Sequence, residues 1–277
     1  MSTKVQMDGV EATSWGTALR EAVPLWALLA LAGGAAWLVT VGQARSMGVG
    51  PGTMGMAFVG FVGMWVAMMA AMMLPAVGPL AAWETVQARA AVAGRQVVGT
   101  LAFGAGFLLP WAAYGALAFA ALSGTEQLVE SSPEVARSLG VGILAVAGGY
   151  QFTTWKLRAL HHCRTPSALE HGAGVVADFR TGALDGAICV GCCWALMTVF
   201  IAVGVMNLPW MAGLAALIFA EKVLPRPRLV AGLGGAVLLA LAVAAALEPS
   251  MLSGLTPAGM ATEMAGMDSG GMEMGGM

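Results

Sequence analysis

Thiol groups are concentrated in one short part of the chain, and they are the residues best suited to chemistry. Cys189, Cys192 and Cys193 have the spacing i, i+3 and i+4, which brings side chains onto one face of a helix. The fourth cysteine, Cys163, directly follows His161 and His162. Thiolates are soft ligands that select copper(I), zinc or iron–sulfur clusters. We therefore predict a soft-metal site for copper(I), with zinc as the alternative, in which Cys163 and the two histidines are additional ligands.

Methionine supplies a second group of soft ligands, because thioethers also bind copper(I). The chain has 20 methionines, and Met64, Met68 and Met72 repeat at helical spacing with Met69 and Met73 beside them. Such a stripe is also typical of methionines that only fill a core. Packing and metal binding are therefore the two interpretations, and the candidate ligands within the stripe are Met68, Met69 and Met72.

The end of the chain carries six further methionines among Gly, Ala, Ser and acidic residues: Met260, Met264, Met267, Met272, Met274 and Met277. Residues 248–277 are of low complexity, so we expect this tail to be disordered unless a ligand organises it. Acidic neighbours would raise the local concentration of cations. The tail is predicted to capture metal, and drift in composition is the alternative explanation.

Composition predicts which elements position these groups. The chain is 58% hydrophobic and 10% charged, whereas a soluble domain has about 25% charged residues. A helix that crosses a bilayer needs roughly 20 apolar residues. We predict an all-α, polytopic transmembrane bundle over 24–247, between a cytoplasmic segment 1–23 and the tail. The predicted spans, about seven, are 24–41, 56–80, 97–122, 138–155, 186–205, 208–224 and 229–247.

The basic residues predict the orientation. With these spans, eleven of the thirteen lysines and arginines fall on the side of the N-terminus, so this side is cytoplasmic and the C-terminus lies outside. The bilayer is then a cytoplasmic membrane. Residues 156–185 form a long cytoplasmic loop, and Glu221 and Lys222 are interpreted as interfacial anchors. Because the chain has no basic run, nucleic acid is not an expected partner.

Several sequence blocks resemble a known family: WVAMMAAMMLP at 65–75, GGYQ at 148–151, CRTP at 163–166, CVGCCW at 189–194 and EK at 221–222. They are similar to an uncharacterised bacterial family of predicted metal-binding integral membrane proteins, the domain of unknown function 2182. The resemblance covers about residues 54–224. It implies metal binding in the inner membrane of a bacterium, without a particular ion or reaction. Its second block often carries one more cysteine, where this chain has His161 and His162.

Three functions fit these patterns. The first is a protein that binds copper(I) and transports it, or delivers it to a cuproenzyme, with a copper chaperone, a cuproenzyme or a second copy of the chain as partner. The second is a membrane thiol or metal redox enzyme. It is disfavoured because reactive dithiols usually lie at a helix N-terminus, whereas Cys189 and Cys192 are predicted within a span. The third is a structural subunit of a membrane complex. Substitution Cys189→Ser distinguishes these functions. It should abolish metal binding in the first, redox cycling in the second and neither in the third.

Overall fold

A computed structural model describes residues 27–45, 53, 55–88, 93–164 and 174–247. Within these ranges the chain is all-helical and has no strand, which confirms the predicted fold class. The segment 1–23 and the methionine-rich tail 248–277 lie outside the described residues. The helices are α1 (Ala27–Arg45), α2 (Phe58–Ala88), α3 (Ala93–Ser131), α4 (Pro133–Tyr150), α5 (Thr154–His162), α6 (Val175–Val203), α7 (Leu208–Val223) and α8 (Pro227–Leu247).

Five of the described helices contain segments long and apolar enough to cross a membrane, namely Ala27–Arg45, Phe58–Val77, Val97–Gly124, Val175–Val203 and Pro227–Leu247. The chain is therefore a membrane protein. Helices α4 and α7 occupy the positions of the other two predicted spans. They have only 18 and 16 residues, and α4 carries Glu134 and Arg137 in its first turns. Length and hydropathy alone thus support five spans, and seven stays a prediction.

The predicted loop 156–185 was wrong at both ends. Helix α4 ends at Tyr150, and α5 begins at Thr154 after Thr153, whose side chain accepts a hydrogen bond from the backbone N–H of Lys156. Helix α6 begins at Val175, well before residue 186. Asp178 and Asp185 lie within the predicted loop, but both are buried residues of α6.

Helices α3 and α6 approach each other closely through small residues. Gly182 and Gly186 lie one turn apart on α6, and a Cβ atom on either would overlap the backbone of Phe103 or Phe107 on α3. Small residues spaced in this way allow membrane helices to pack backbone to backbone. The contact holds the first half of α6 along α3 and so positions the cysteines that follow.

Helices α4 and α8 run antiparallel over most of their lengths. Near the start of α4, the side chain of Arg137 donates a hydrogen bond to the carbonyl of Ala246 at the end of α8. Beyond the end of α4, the ring of Phe152 lies against Gly232 and Gly235 in the first half of α8. Helix α7 turns directly into α8 at Leu224. The ends of α4 and α7 and the start of α8 therefore share one end of the bundle.

Candidate metal centre

The four cysteines meet in one cluster. The Sγ atom of Cys192 lies 3.2 Å from that of Cys193 and 3.4 Å from that of Cys163. The sulfurs of Cys163, Cys189 and Cys192 all lie within 4.8 Å of one another. None of the four is in a disulfide bond. The structure thus brings together the thiols that the spacing put on one helical face and the cysteine of the preceding loop.

Two helices supply the cluster. Cys189, Cys192 and Cys193 lie in the middle of α6 and are buried, whereas Cys163 follows the last residue of α5 and is half-buried. A zinc–thiolate bond is about 2.3 Å long, so two sulfurs that bind one such ion lie at most about 4.6 Å apart. The spacing of the thiols therefore suits a thiophilic metal ion with little rearrangement.

The structure brings Met73 of α2 to the cluster. Its Sδ atom lies 4.0 Å from the Sγ atom of Cys189. The predicted ligands Met68, Met69 and Met72 are buried in the hydrophobic core. In the sequence Met73 lies beside the methionine stripe, and it was not among the predicted ligands. Its contact with Cys189 joins two helices that are far apart in the chain, so the sequence pattern could not indicate it.

The two predicted histidines lie on the exposed side of the cluster. Both are exposed, and the Nδ1 atom of His162 lies 2.8 Å from the carbonyl oxygen of Arg158 in the same helix. His162 also lines a small cavity of about 10 Å³, together with Cys163, Asp185, Cys189 and Lys222. The structure therefore places His162 at the edge of the site and both rings on the side that solvent reaches.

A buried lysine contacts the thiols directly. The Nζ atom of Lys222 lies 3.0 Å from the Sγ atom of Cys189 and 6.0 Å from the centre of the Phe107 ring. The residue is only 8% exposed. Its interpretation as an interfacial anchor was therefore wrong, because its ammonium group lies inside the bundle against a candidate metal ligand.

The interpretation of Glu221 as an interfacial anchor was wrong for the same reason. Its carboxylate is fully buried and accepts hydrogen bonds from Lys156 at 2.7 Å and from Gln151 at 2.8 Å. The carboxylate of Glu221 and the ammonium of Lys156 are both fully buried. The two side chains thus form a buried ion pair. In the sequence, Glu221 lies between two long uncharged stretches, and an ionisable residue in such a position is by default a sign of function.

Two further hydrogen bonds hold this network around the cysteines. The guanidinium of Arg164 donates to the backbone carbonyl of Glu221 at 2.6 Å, which joins the end of α5 to α7. The hydroxyl of Tyr150 donates to the carbonyl of Gly191 at 2.6 Å, within the turn of α6 that carries the thiols. The described residues of the sequence blocks GGYQ, CRTP, CVGCCW and EK, which in the second block are Cys163 and Arg164, therefore meet in space at one site.

Comparison with known proteins identifies the family. No curated protein and no solved structure matches the chain. A family model described as PpoB2, copper chaperone, matches residues 62–245. This range covers more than half of the chain and contains the four cysteines, Met73 and the buried charges beside them. The function is therefore related to copper, and the chain belongs to the PpoB2 copper chaperone family.

Proposed function

We propose that this protein binds copper(I) in its thiol cluster and delivers the ion to an acceptor protein by ligand exchange. The observation that carries the proposal is the group of three sulfurs, from Cys163, Cys189 and Cys192, within 4.8 Å of one another. The thioether of Met73 adds a fourth soft atom beside them. Thiolates and thioethers together favour copper(I) over harder ions, so zinc is the second choice. We also infer that the copper chaperone family and the domain of unknown function that the chain resembles are the same family.

The burial of the ligands favours delivery over transport. Cys189, Cys192 and Cys193 are buried, whereas Cys163 is half-buried beside the exposed His162. Ligand exchange needs one ligand that a partner can reach, and Cys163 is in that position. Beyond the cysteines, α6 continues into the buried side chains Leu196, Val199 and Phe200, which have no atoms that bind a metal ion. These side chains provide no polar lining for passage of an ion across the membrane.

The cluster is proposed to face the cytoplasm of a bacterial cell. Helix α4 runs antiparallel to α8 from Arg137 to Phe152, which supports the view that α4 crosses the same layer as α8 and that the bundle has seven spans. Basic residues gather at the end of the bundle that holds the cluster, namely Lys156, Arg158, Arg164, Lys222, Arg226 and Arg228. Such an excess favours the cytoplasmic side. The acceptor would then be reached from the cytoplasm or within the membrane.

The methionine-rich tail, from Met260 to Met277, is proposed as a second site that captures copper on the outer side of the membrane. Its thioethers are soft ligands, and the acidic residues among them attract cations. Deletion of the tail after Leu247 should therefore lower the amount of copper bound without emptying the cluster.

Metal content tests the proposal. The protein would be purified in detergent under reducing conditions after copper supplementation, and its metals measured by mass spectrometry. The triple substitution of Cys189, Cys192 and Cys193 by Ser removes the buried thiols. The matched control is Ala195→Ser, which adds a hydroxyl group at a buried position of the same helix.

We expect copper in the intact protein, the control and the tail deletion, and a large loss of copper in the triple variant. Zinc in place of copper would assign the site to the alternative ion. An intact protein that binds no metal above background would overturn the proposal. The interpretation of the cysteines as redox-active or packing residues would then be the one to pursue.

A further inference from the structure

We propose that Lys222 is a positioning residue that sets the ion preference of the cluster, because its positive charge favours a monovalent ion over a divalent one. The inference rests on the proposed function and concerns the specificity of the same site. A buried ammonium group lies in contact with the thiol of Cys189, a proposed metal ligand. The binding of a cation does not by itself require a positive charge at this place.

The contact is held from several sides. Lys222 lies in the last turn of α7, with Nζ at 3.0 Å from the Sγ atom of Cys189 and 6.0 Å from the centre of the Phe107 ring. Its neighbour Glu221 is engaged with Lys156 at 2.7 Å. The charge of Lys156 is therefore balanced by a carboxylate, whereas the ammonium of Lys222 points at the sulfur cluster. Asp185 lines the same cavity as Lys222.

The net charge of the metal–thiolate complex explains why this contact selects between ions. Three thiolates and copper(I) carry two negative charges in total, whereas the same thiolates with a divalent ion carry one. A nearby ammonium stabilises the more negative complex more strongly. Since Lys222 is buried, water screens the interaction less than it would at the surface. The ammonium of Lys222 therefore shifts the preference of the cluster toward copper(I) over zinc.

The experiment compares two affinities in each variant. The detergent-purified protein competes with a chromogenic chelator for copper(I), and separately with a fluorescent chelator for zinc. Lys222→Met removes the charge and keeps an unbranched apolar chain, and Lys222→Arg keeps the charge. Arg226→Met is the matched control, because Arg226 is an exposed basic residue in the turn between α7 and α8.

We expect Lys222→Met to lower the preference for copper(I) over zinc by roughly tenfold or more, as the loss of a unit charge a few ångströms away implies. Lys222→Arg should keep most of the preference, and Arg226→Met should leave it unchanged. X-ray absorption of the copper-loaded variants should show the same sulfur ligands. Lys222→Gln keeps a hydrogen-bond donor without the charge, and it should repeat the shift if the methionine variant does not fold.

Equal losses of copper(I) and zinc affinity in Lys222→Met and Lys222→Gln would overturn the inference, because a structural role lowers both affinities together. That result would leave the proposed function intact. An unsubstituted protein that binds no copper would instead contradict the proposed function. The two failures are therefore distinguishable.

Discussion

The thioether of Met73 lies 4.0 Å from the thiol of Cys189, although the two residues are 116 positions apart in the chain. Met73 belongs to α2 and Cys189 to α6, and both side chains are buried. The contact extends the thiol cluster by one soft atom that comes from a different helix. It therefore ties the geometry of the candidate site to the packing of the bundle.

Substitution Met73→Leu should weaken copper(I) binding several-fold, because it removes a soft donor next to Cys189. Leucine has a similar volume, so the free energy of unfolding should fall by less than about 1.5 kcal/mol. Competition with a copper(I) chelator measures the affinity. The control is Met64→Leu, at another buried position of α2. Equal affinities in the two variants would show that Met73 only packs.

Substitution Cys163→Ser should leave copper bound but slow its transfer to a chelator several-fold. The three buried cysteines can still hold the ion, whereas the half-buried thiol that an incoming ligand would displace from the ion is lost. Stopped-flow absorbance of the copper–chelator complex measures the rate of transfer. Thr154→Ser, at an exposed position of α5, is the control. Release that is as fast as in the unsubstituted protein, or faster, would contradict the role of Cys163 as exchange ligand.

Substitution Glu221→Gln should lower the free energy of unfolding by about 3–5 kcal/mol, because it leaves the buried ammonium of Lys156 without its partner. The double variant Lys156→Met with Glu221→Leu should recover much of the loss, since it buries no unpaired charge. Thermal unfolding in detergent measures the differences, and Glu134→Gln, at an exposed position, is the control. A double variant as unstable as the single one would argue against a simple ion pair.

Substitution Gly182→Ala should destabilise the bundle by about 1–3 kcal/mol, as overpacking of a close contact does. Its methyl group would overlap the backbone of Phe103, so α3 and α6 would have to separate. Gly60→Ala is the matched control, because a Cβ atom there meets nothing within 4 Å. Thermal unfolding in detergent compares the two. Similar melting temperatures would mean that the two helices adjust without cost.

The seven-span topology predicts the sides of two segments. An epitope inserted within 165–173 should be inaccessible to antibody in intact spheroplasts and accessible after permeabilisation, whereas an epitope after Leu247 should be accessible in both. If α4 and α7 did not cross the membrane, the first epitope would be accessible from outside. Copper content of each insertion variant shows whether the cluster is preserved.

Local patterns in the sequence predicted the part of the site that depends on one helix. The spacing of Cys189, Cys192 and Cys193 puts three thiols on one face because helical periodicity is a local property. Hydropathy likewise predicted an all-helical membrane protein. The thickness of the bilayer is nearly fixed, so the length of an apolar stretch indicates whether it can cross. The loop 156–185 was predicted less well, since Asp178 and Asp185 are charged yet lie within a buried helix.

The sequence by itself determined the residue types of the site and the helix that carries three of its thiols. Only the tertiary structure decided that the thioether of Met73 lies 4.0 Å from the thiol of Cys189, and that Glu221 and Lys222 lie inside the bundle. Whether a charged side chain near the end of a helix reaches water or a buried partner depends on which helices surround it. Those neighbours come from distant parts of the chain, and their relative rotation is set by packing between helices.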